Sequence, residues 1–457
     1  MSDILFQYEK VNPTSWAYLS SLLTLALFFK FNRIFSVRNV DLFLLISIAP
    51  GLLLVQYSYE NEGVRTNALD MQRLGFLWLL TVGLLLMGRL LLDSAMVRRP
   101  LLEPNLNAAG LAFLGSSLLF FLMTNVVTGK PRRADWSPAL PAAEMKVEQE
   151  GPEAADTFET EGPGYWLLYR IPQIATQTVI ARADESPPDT AAELAEQQQE
   201  IYEVTARVVA ILSHVMIVAG IVLVAARHFE NATAGLAAAT MYLLLPYTAL
   251  WTGSVEHALP ASLLVWAVVL YRRPLVAGML IGLASGTIYY PIFLLPLWCS
   301  FYWERGIKRF LTGVFLTIGV LVLSLALTAR SLDRFVAHLS QMFGVRSPRM
   351  ENLQGIWREE FWNPLYRLPI LFAFGALAIS FAAWPTRKHL GTLLSCTAAL
   401  MVGAQFWHAH GGGVYVAWYL PLLLLVIFRP NLEDRVALAT VSEGWWQARK
   451  KSRAAAV

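Results

Sequence analysis

The chain has 457 residues, of which 56% are hydrophobic and only 15% are charged, and its formal net charge is +3. Soluble domains usually carry about 25% charged residues. This composition excludes an ordinary soluble enzyme and a disordered chain, and the small net charge gives no reason to expect a nucleic-acid partner. Apolar runs recur along the whole sequence, which predicts an all-α protein with many membrane-spanning helices.

Thirteen apolar segments are candidate membrane spans, because a helix needs about 20 mostly apolar residues to cross the hydrocarbon core. In chain order they are 15–31, 40–57, 74–92, 107–127, 208–226, 232–251, 258–271, 275–289, 291–303, 309–328, 368–384, 390–406 and 414–428. Lys30 interrupts the first segment, so the expected number of transmembrane helices is about 13, within a range of 11–13. The three segments within 258–303 are short and are expected to be tilted, broken or paired half-length helices.

Basic residues alternate between the connections, and this alternation predicts the orientation of the chain. Cytoplasmic loops carry an excess of Lys and Arg. One set of connections contains such residues, for example Arg272 and Arg273, whereas the opposite short loops at 252–257 and 407–413 contain none. The C-terminal tail is also basic, so we expect a cytoplasmic C-terminus and an outer side formed by the other set of loops.

These features predict six consecutive parts of the chain. They are N-terminal transmembrane helices with the first outer loop (1–128), an acidic outer loop (129–203), central transmembrane helices (204–328), a second outer loop (329–367), C-terminal transmembrane helices (368–428) and a basic cytoplasmic tail (429–457).

The acidic outer loop, 129–203, contains 15 acidic and 6 basic residues and has a net charge of −9. Its first part, 130–156, is rich in Pro, Ala and Glu, which is typical of a flexible linker. The stretch 158–174 is aromatic and apolar, so we expect it to pack on the membrane domain or to enter the interface. Residues 191–203 favour a helix that leads into the next span.

The second outer loop begins with apolar residues at helical spacing, which predicts an interfacial helix. These residues are Leu332, Phe335, Val336, Leu339 and Phe343. Arg346, Arg349 and Arg358 follow this helix and could contact a phosphate, because arginine suits bidentate phosphate binding. The alternative is a loop that only anchors the protein at the lipid headgroups.

Polar residues at the mouths of spans are candidates for function, because they are costly in a membrane. On the outer side they are Glu60, Glu62, Glu256, His257, Tyr289, Tyr290, His408 and His410. Structural interpretations compete: Glu256 could favour a helix N-terminus by its charge. His408 and His410 could bind a metal, but no third ligand is visible, so no metal or other cofactor is predicted. Arg89 and Asp93, four residues apart, predict a structural ion pair.

Two stretches in the centre share a distinctive order of elements. They read AAATMYLLLPYTALWTGSVEHALPASLLVWAVVLYRRP and AGMLIGLASGTIYYPIFLLPLW. A Pro-ended helix is followed by a short Gly-acid loop, a short helix, a basic turn and Gly-x-x-x-Gly-Leu before Tyr-Pro. With these motifs, residues 207–298 resemble membrane glycosyltransferases of the GT-C class, in particular bacterial polyprenol-phosphate-mannose-dependent mannosyltransferases. The later HGGGVYVAWYLP adds a weaker similarity, and the lysine that many relatives carry before Tyr-Pro is absent.

The resemblance implies a GT-C-like fold in the bacterial cytoplasmic membrane and an enzyme that transfers a hexosyl or mannosyl group. The donor would be a polyprenyl-phosphate-linked sugar, and the acceptor would be a glycan, lipid or protein on the extracytoplasmic face. Such enzymes use a carboxylate as general base. By its position in the first outer loop Glu62 is the first candidate, followed by Glu60 and Glu256.

The remaining outer residues would then bind substrate. Arg346, Arg349 and Arg358 would stabilise the departing phosphate. His257, Tyr289, Tyr290, His408 and His410 would contact the sugar or the acceptor. Two alternatives stay open, namely a membrane transporter or flippase and a non-catalytic membrane scaffold whose acidic loop docks a partner.

Overall fold

The computed structural model describes residues 12–62, 64–93, 96, 102–136, 163–183, 191–328, 332, 335–336, 339, 350, 353–386 and 388–430. Throughout this part of the chain the regular secondary structure is helical, which confirms the all-α class. Most of the proposed interfacial helix after 331, together with Arg346 and Arg349, lies outside the described residues.

The helices are numbered here in chain order. The first half of the chain contributes α1 (Pro13–Phe28), α2 (Val37–Ile46), α3 (Ile48–Glu60), α4 (Ala68–Leu92), α5 (Ala108–Thr128), α6 (Arg133–Trp136), α7 (Pro163–Ala183) and α8 (Ala191–His228). The second half contributes α9 (Ala232–Leu244), α10 (Pro246–Leu250), α11 (Val255–Val269), α12 (Pro274–Thr287), α13 (Leu295–Tyr302), α14 (Ile307–Thr328), α15 (Arg367–Ala383), α16 (Leu390–Gln405) and α17 (Leu420–Phe428). Short 3-10 helices occur at Phe31–Arg33, Tyr290–Leu294, Gly355–Trp357, Pro364–Tyr366 and Val416–Trp418.

Within the described residues, six helical segments are long and apolar enough to cross a membrane. They are Val37–Glu60, Ala68–Leu92, Ala108–Thr128, Ala195–His228, Ile307–Leu327 and Pro364–Ala383. The protein is therefore a polytopic helical membrane protein, but the predicted number of 13 spans is not confirmed. Several of the other predicted spans are apolar helices of 10–17 residues.

The departures from the predicted spans have local causes. The segment 232–251 was expected to be one helix, but it breaks at Leu245, which has an extended conformation before Pro246. Proline lacks the amide hydrogen that would continue the helix and restricts the residue before it. The segments 291–303 and 414–428 both begin with a 3-10 turn, so their α-helices contain only 8 and 9 residues.

Helices α9, α16 and α17 form the centre of the bundle. Every residue of α16 and of α17 is buried, as is most of the alanine-rich helix α9. Small side chains let helix backbones approach closely, and a helix that is apolar on all sides fits a protein core or a membrane span. The chain thus places its last two helices inside the bundle rather than at its edge.

Helices α12 and α14 touch through their glycines. Gly278, Gly282 and Gly286 are four residues apart and share one face of α12. A Cβ atom at Gly278 would lie 2.1 Å from the carbonyl oxygen of Phe310, and one at Gly313 would lie 2.0 Å from that of Leu275. The two main chains are therefore in direct contact, as in other small-residue helix pairs in membranes.

We expect Gly278→Ala to destabilise the protein, because the added methyl group would overlap main-chain atoms that cannot move independently. Overpacking of this kind costs about 1–3 kcal/mol. Gly319→Ala on α14 is the matched control, since a Cβ atom there meets nothing within 4 Å. Thermal unfolding of the purified protein in detergent measures the effect. Equal unfolding temperatures for the two variants would contradict the close helix contact.

The connections lie at two ends of the bundle. The site end is defined here by the connections at 61–67, 129–132, 251–254, 288–290, 353–366 and 406–415. Direct contacts join these connections: the Gln354 amide donates to the Ala409 carbonyl at 2.9 Å, and the Arg132 guanidinium donates to the Ser254 hydroxyl at 2.8 Å. The loops that were expected to share the outer side therefore meet at one end.

The opposite end contains a buried charge cluster, which consists of Arg38, Asp41, Arg89, Asp93 and Arg429. The predicted pair of Arg89 and Asp93 is present with an N–O distance of 3.1 Å. Arg89 also contacts Asp41 at 2.8 Å, and Arg429 contacts Asp93 at 2.6 Å. The cluster joins α2, the end of α4 and the residue that follows α17.

Candidate functional site

Glu256 lies in the first turn of α11 at the site end. The helix begins after the short connection 251–254, and the amide of Val255 donates to the Asp135 carboxylate at 3.1 Å. Asp135 belongs to α6, so two segments that are distant in sequence fix the start of α11. This local arrangement presents the Glu256 side chain at the mouth of the bundle, where it is partly buried.

Arg132 joins the two carboxylates. Its Nε lies 3.0 Å from Asp135 Oδ2, and its Nη2 lies 3.0 Å from Glu256 Oε1. The guanidinium also donates to the Ser254 hydroxyl and lies 5.2 Å from the centre of the Trp251 ring. An adjacent positive charge favours the ionised form of a carboxyl group. Burial raises the pKa of the Asp135 carboxyl, and the Arg132 guanidinium acts against that rise.

The two oxygens of the Glu256 side chain differ in their contacts. Oε1 accepts a hydrogen bond from Arg132 Nη2 and lies 3.6 Å from His257 Nε2. Among the described residues, the hydrogen bond to the Glu256 carboxylate goes to Oε1. One oxygen is thus fixed, and the other remains able to accept a proton or a hydrogen bond from a substrate.

His257 is held rigidly beside this carboxylate. It is buried between Trp251 and Tyr415, with ring centroids 4.6 Å away on each side. Its Nδ1 forms a hydrogen bond with the hydroxyl of Tyr247. These contacts leave the imidazole little freedom to rotate.

The stack around His257 continues through the site. Consecutive ring centroids are 4.7 Å apart for Tyr415 and His408, 5.1 Å for His408 and Tyr290, and 4.1 Å for Tyr290 and Tyr289. Trp418 stacks on Tyr415 at 4.5 Å. Rings from α11, the connection after α12 and the connection after α16 therefore form one continuous aromatic cluster.

A small pocket opens between this cluster and the carboxylate. Its lining consists of Glu256, Ile288, Tyr289, Tyr290, His408, Tyr415 and Trp418. The free space inside is about 10 Å³, room for about one water molecule, so a larger ligand requires the lining side chains to move. Aromatic faces can cover the C–H face of a sugar ring, and the carboxylate can accept hydrogen bonds from its hydroxyl groups.

Five residues that the sequence singled out meet at this pocket. Glu256, Tyr289, Tyr290 and His408 line it, and His257 lies directly behind Glu256. His410 is beside His408, with its main-chain amide donating to His408 Nδ1 at 3.0 Å.

Glu60 and Glu62 have other neighbours and are not among the residues that line the pocket. The Glu60 carboxylate accepts a hydrogen bond from Gln56 at 2.9 Å. The Glu62 carboxylate forms a 2.8 Å ion pair with Arg358, which also donates to Gln72 at 2.9 Å. Arg358 thus connects the second outer loop to the first.

Sequence reasoning missed Arg132, Asp135, Trp251, Tyr415 and Trp418 as site residues. Arg132 and Asp135 fall in 130–156, which was expected to be a flexible linker, but at 132–136 the chain is packed against α11. The sequence contained a signal that could have identified the aromatic residues. Trp251 directly precedes the Gly-acid loop, and Tyr415 and Trp418 follow the glycines after His410. Among the described residues, no group of three or more His, Cys, Asp or Glu residues is placed to hold a metal ion.

Comparison with known families gives one match. Residues 198–407 match the model of glycosyltransferase family 87. The matched region runs from α8 through α16 and includes Glu256, His257, Tyr289 and Tyr290. No curated protein and no solved structure shows a significant match. The family match confirms the predicted resemblance to membrane glycosyltransferases of the GT-C class.

Proposed function

We propose that this chain is a membrane glycosyltransferase of the GT-C class, and that it transfers a hexosyl group from a polyprenyl-phosphate-linked donor to an acceptor on the extracytoplasmic face. The site end would then face outward, in agreement with the few basic residues in its short loops. A bacterial cytoplasmic membrane and a cytoplasmic C-terminus belong to the same proposal.

The contacts of Glu256 support this proposal most directly. Its Oε1 accepts a hydrogen bond from Arg132, and the Glu256 side chain lines the pocket. We assign Glu256 as the general base that takes the proton from the acceptor hydroxyl as the acceptor oxygen attacks the anomeric carbon. The sugar–phosphate bond breaks, and the lipid phosphate leaves with the bonding electrons.

Glu62 was the first candidate from sequence, and the geometry favours Glu256 over it. Glu62 is 41% exposed and is neutralised by Arg358. A general base must lie within hydrogen-bond reach of the proton that it removes. We place the sugar against the aromatic rings beside Glu256, with Tyr289, Tyr290 and His408 as the proposed contacts.

Purified protein in lipid nanodiscs, supplied with a panel of polyprenyl-phosphate sugars, tests the activity. We expect release of polyprenyl phosphate from at least one donor, at a rate that increases when an acceptor is added. Turnover of nucleotide sugars with no turnover of any lipid-linked donor would contradict the proposed donor class. A transporter or flippase would move the donor across sealed vesicles without cleaving it.

The arginines of the second outer loop are proposed to stabilise the departing phosphate, and Arg358 is the one that the structure describes. Arg358→Lys is expected to lower donor turnover by roughly tenfold and Arg358→Ala further, because lysine cannot replace a bidentate arginine contact. Arg73→Lys is the control, since Arg73 lies over the Trp362 ring at the same end. Equal, small effects of Arg358→Lys, Arg358→Ala and Arg73→Lys on donor turnover would contradict a phosphate contact and favour a loop that only anchors the protein in the membrane.

A further inference from the structure

Arg132 has a role that the proposed reaction does not yet include. It lies outside residues 198–407, the region matched by the family model, yet it contacts Glu256 directly. The connection between α5 and α6 therefore adds an arginine to the central carboxylate of the site.

Several contacts hold this connection against the bundle. The Tyr169 hydroxyl of α7 donates to the main-chain carbonyl of Asp135 at 2.6 Å, and Trp136 stacks on Tyr202 of α8 with centroids 6.4 Å apart. The Arg207 guanidinium donates to the carbonyl of Gly129 at 3.2 Å. Arg132 is thus presented by a segment that is fixed on both sides.

Four groups that can carry charge surround the Glu256 side chain. Arg132 comes from the α5–α6 connection, His257 from α11 and His408 from the α16–α17 connection, with Asp135 behind Arg132. His257 and His408 are buried among aromatic rings, an environment that disfavours the imidazolium form. Arg132 is the permanently charged member of this set.

We propose that Arg132 is a positioning residue that keeps Glu256 ionised and directs its Oε2 toward the acceptor. The inference rests on the proposed function of Glu256 as general base. Arg132 holds Oε1 of Glu256, whose side chain lines the pocket, and Asp135 orients the guanidinium through two of its nitrogens. The segment 129–136 of the acidic outer loop is therefore part of the active site rather than a linker.

The variants Arg132→Gln and Arg132→Lys test this role by kinetics. Loss of a residue that orients a metal ligand typically costs about 10–100-fold, and we take the same scale for a residue that orients a carboxylate base. We expect Arg132→Gln to lower kcat by that factor with little change in the donor KM, and Arg132→Lys to recover part of the loss. The acidic limb of the pH–rate profile should move to higher pH in Arg132→Gln, because a carboxylate without its cation binds a proton more readily. Arg65→Gln is the matched control, since Arg65 also contacts an aromatic ring at this end.

A second measurement separates this inference from the proposed reaction. Infrared difference spectra of the donor-free protein report the protonated carboxyl band during a pH titration. A band that appears at higher pH in Arg132→Gln than in wild type, and that is absent when Glu256→Gln is added, supports the role of Arg132 even if no donor is turned over. An unchanged band together with an unshifted pH–rate profile would overturn the inference, whatever the activity of the wild type.

Discussion

Glu256→Gln is expected to lower the rate of sugar transfer by about 10²–10⁴-fold, the usual contribution of a general base. Glutamine keeps the size of the side chain and can still accept a hydrogen bond from Arg132, but it cannot take a proton from the acceptor. Donor binding should therefore change little while kcat falls. Steady-state release of polyprenyl phosphate in the presence of acceptor measures the effect, and thermal unfolding verifies that the variant is folded.

Glu62→Gln and Glu60→Gln serve as the controls. Both carboxylates are exposed and engaged with neighbours at the surface, Glu62 with Arg358 and Glu60 with Gln56. We expect both variants to transfer sugar at close to the wild-type rate. The opposite pattern, with activity lost in Glu62→Gln and kept in Glu256→Gln, would return the role of base to the first candidate from sequence.

The second large effect is expected from Asp93→Asn in the charge cluster at the opposite end. The Asp93 carboxylate forms ion pairs with Arg89 and Arg429, with N–O distances of 3.1 Å and 2.6 Å. All three side chains are buried. Removal of one partner from a buried ion pair leaves an uncompensated charge and costs about 3–5 kcal/mol. We expect a lower unfolding temperature in detergent and a lower yield of folded protein.

Asp70→Asn is a suitable comparison for this variant. Asp70 lies on the same helix, α4, but in its first turn at the site end, where it is exposed. Exposed substitutions usually change stability by less than about 0.5 kcal/mol. If both variants unfolded at the same temperature, the charge cluster would contribute no net stability to the bundle.

The sequence predicted the helical membrane class because apolar composition and segment length are strong signals. The breaks were harder to predict, as the segment 232–251 demonstrates. Its apolar run continues past Leu245, but Pro246 interrupts the main-chain hydrogen bonding and divides the segment into α9 and α10. A hydrophobicity pattern records burial of side chains and is insensitive to such local changes of the main chain.

Prediction of the site was limited because a sequence pattern reports local features and does not report contacts between distant parts of the chain. His257 and Tyr290 were found because they stand next to polar or proline signals at the ends of apolar segments. Arg132 was missed because its partner Glu256 is 124 positions away in the chain. Only the docking of α6 on α11 brings the two together, and composition alone makes that part of the outer loop resemble a linker.

The glycine contact between α12 and α14 restricts how a long hydrocarbon tail can leave the site. With Gly278 and Gly313 each against the main chain of the other helix, no gap remains between these helices for an isoprenoid. At the site end Gly164 of α7 packs on the main chain of Gly286, where an added Cβ atom would lie 2.8 Å from the Gly286 carbonyl carbon. The tail of the proposed lipid-linked donor would therefore have to enter the bilayer along a different helix boundary.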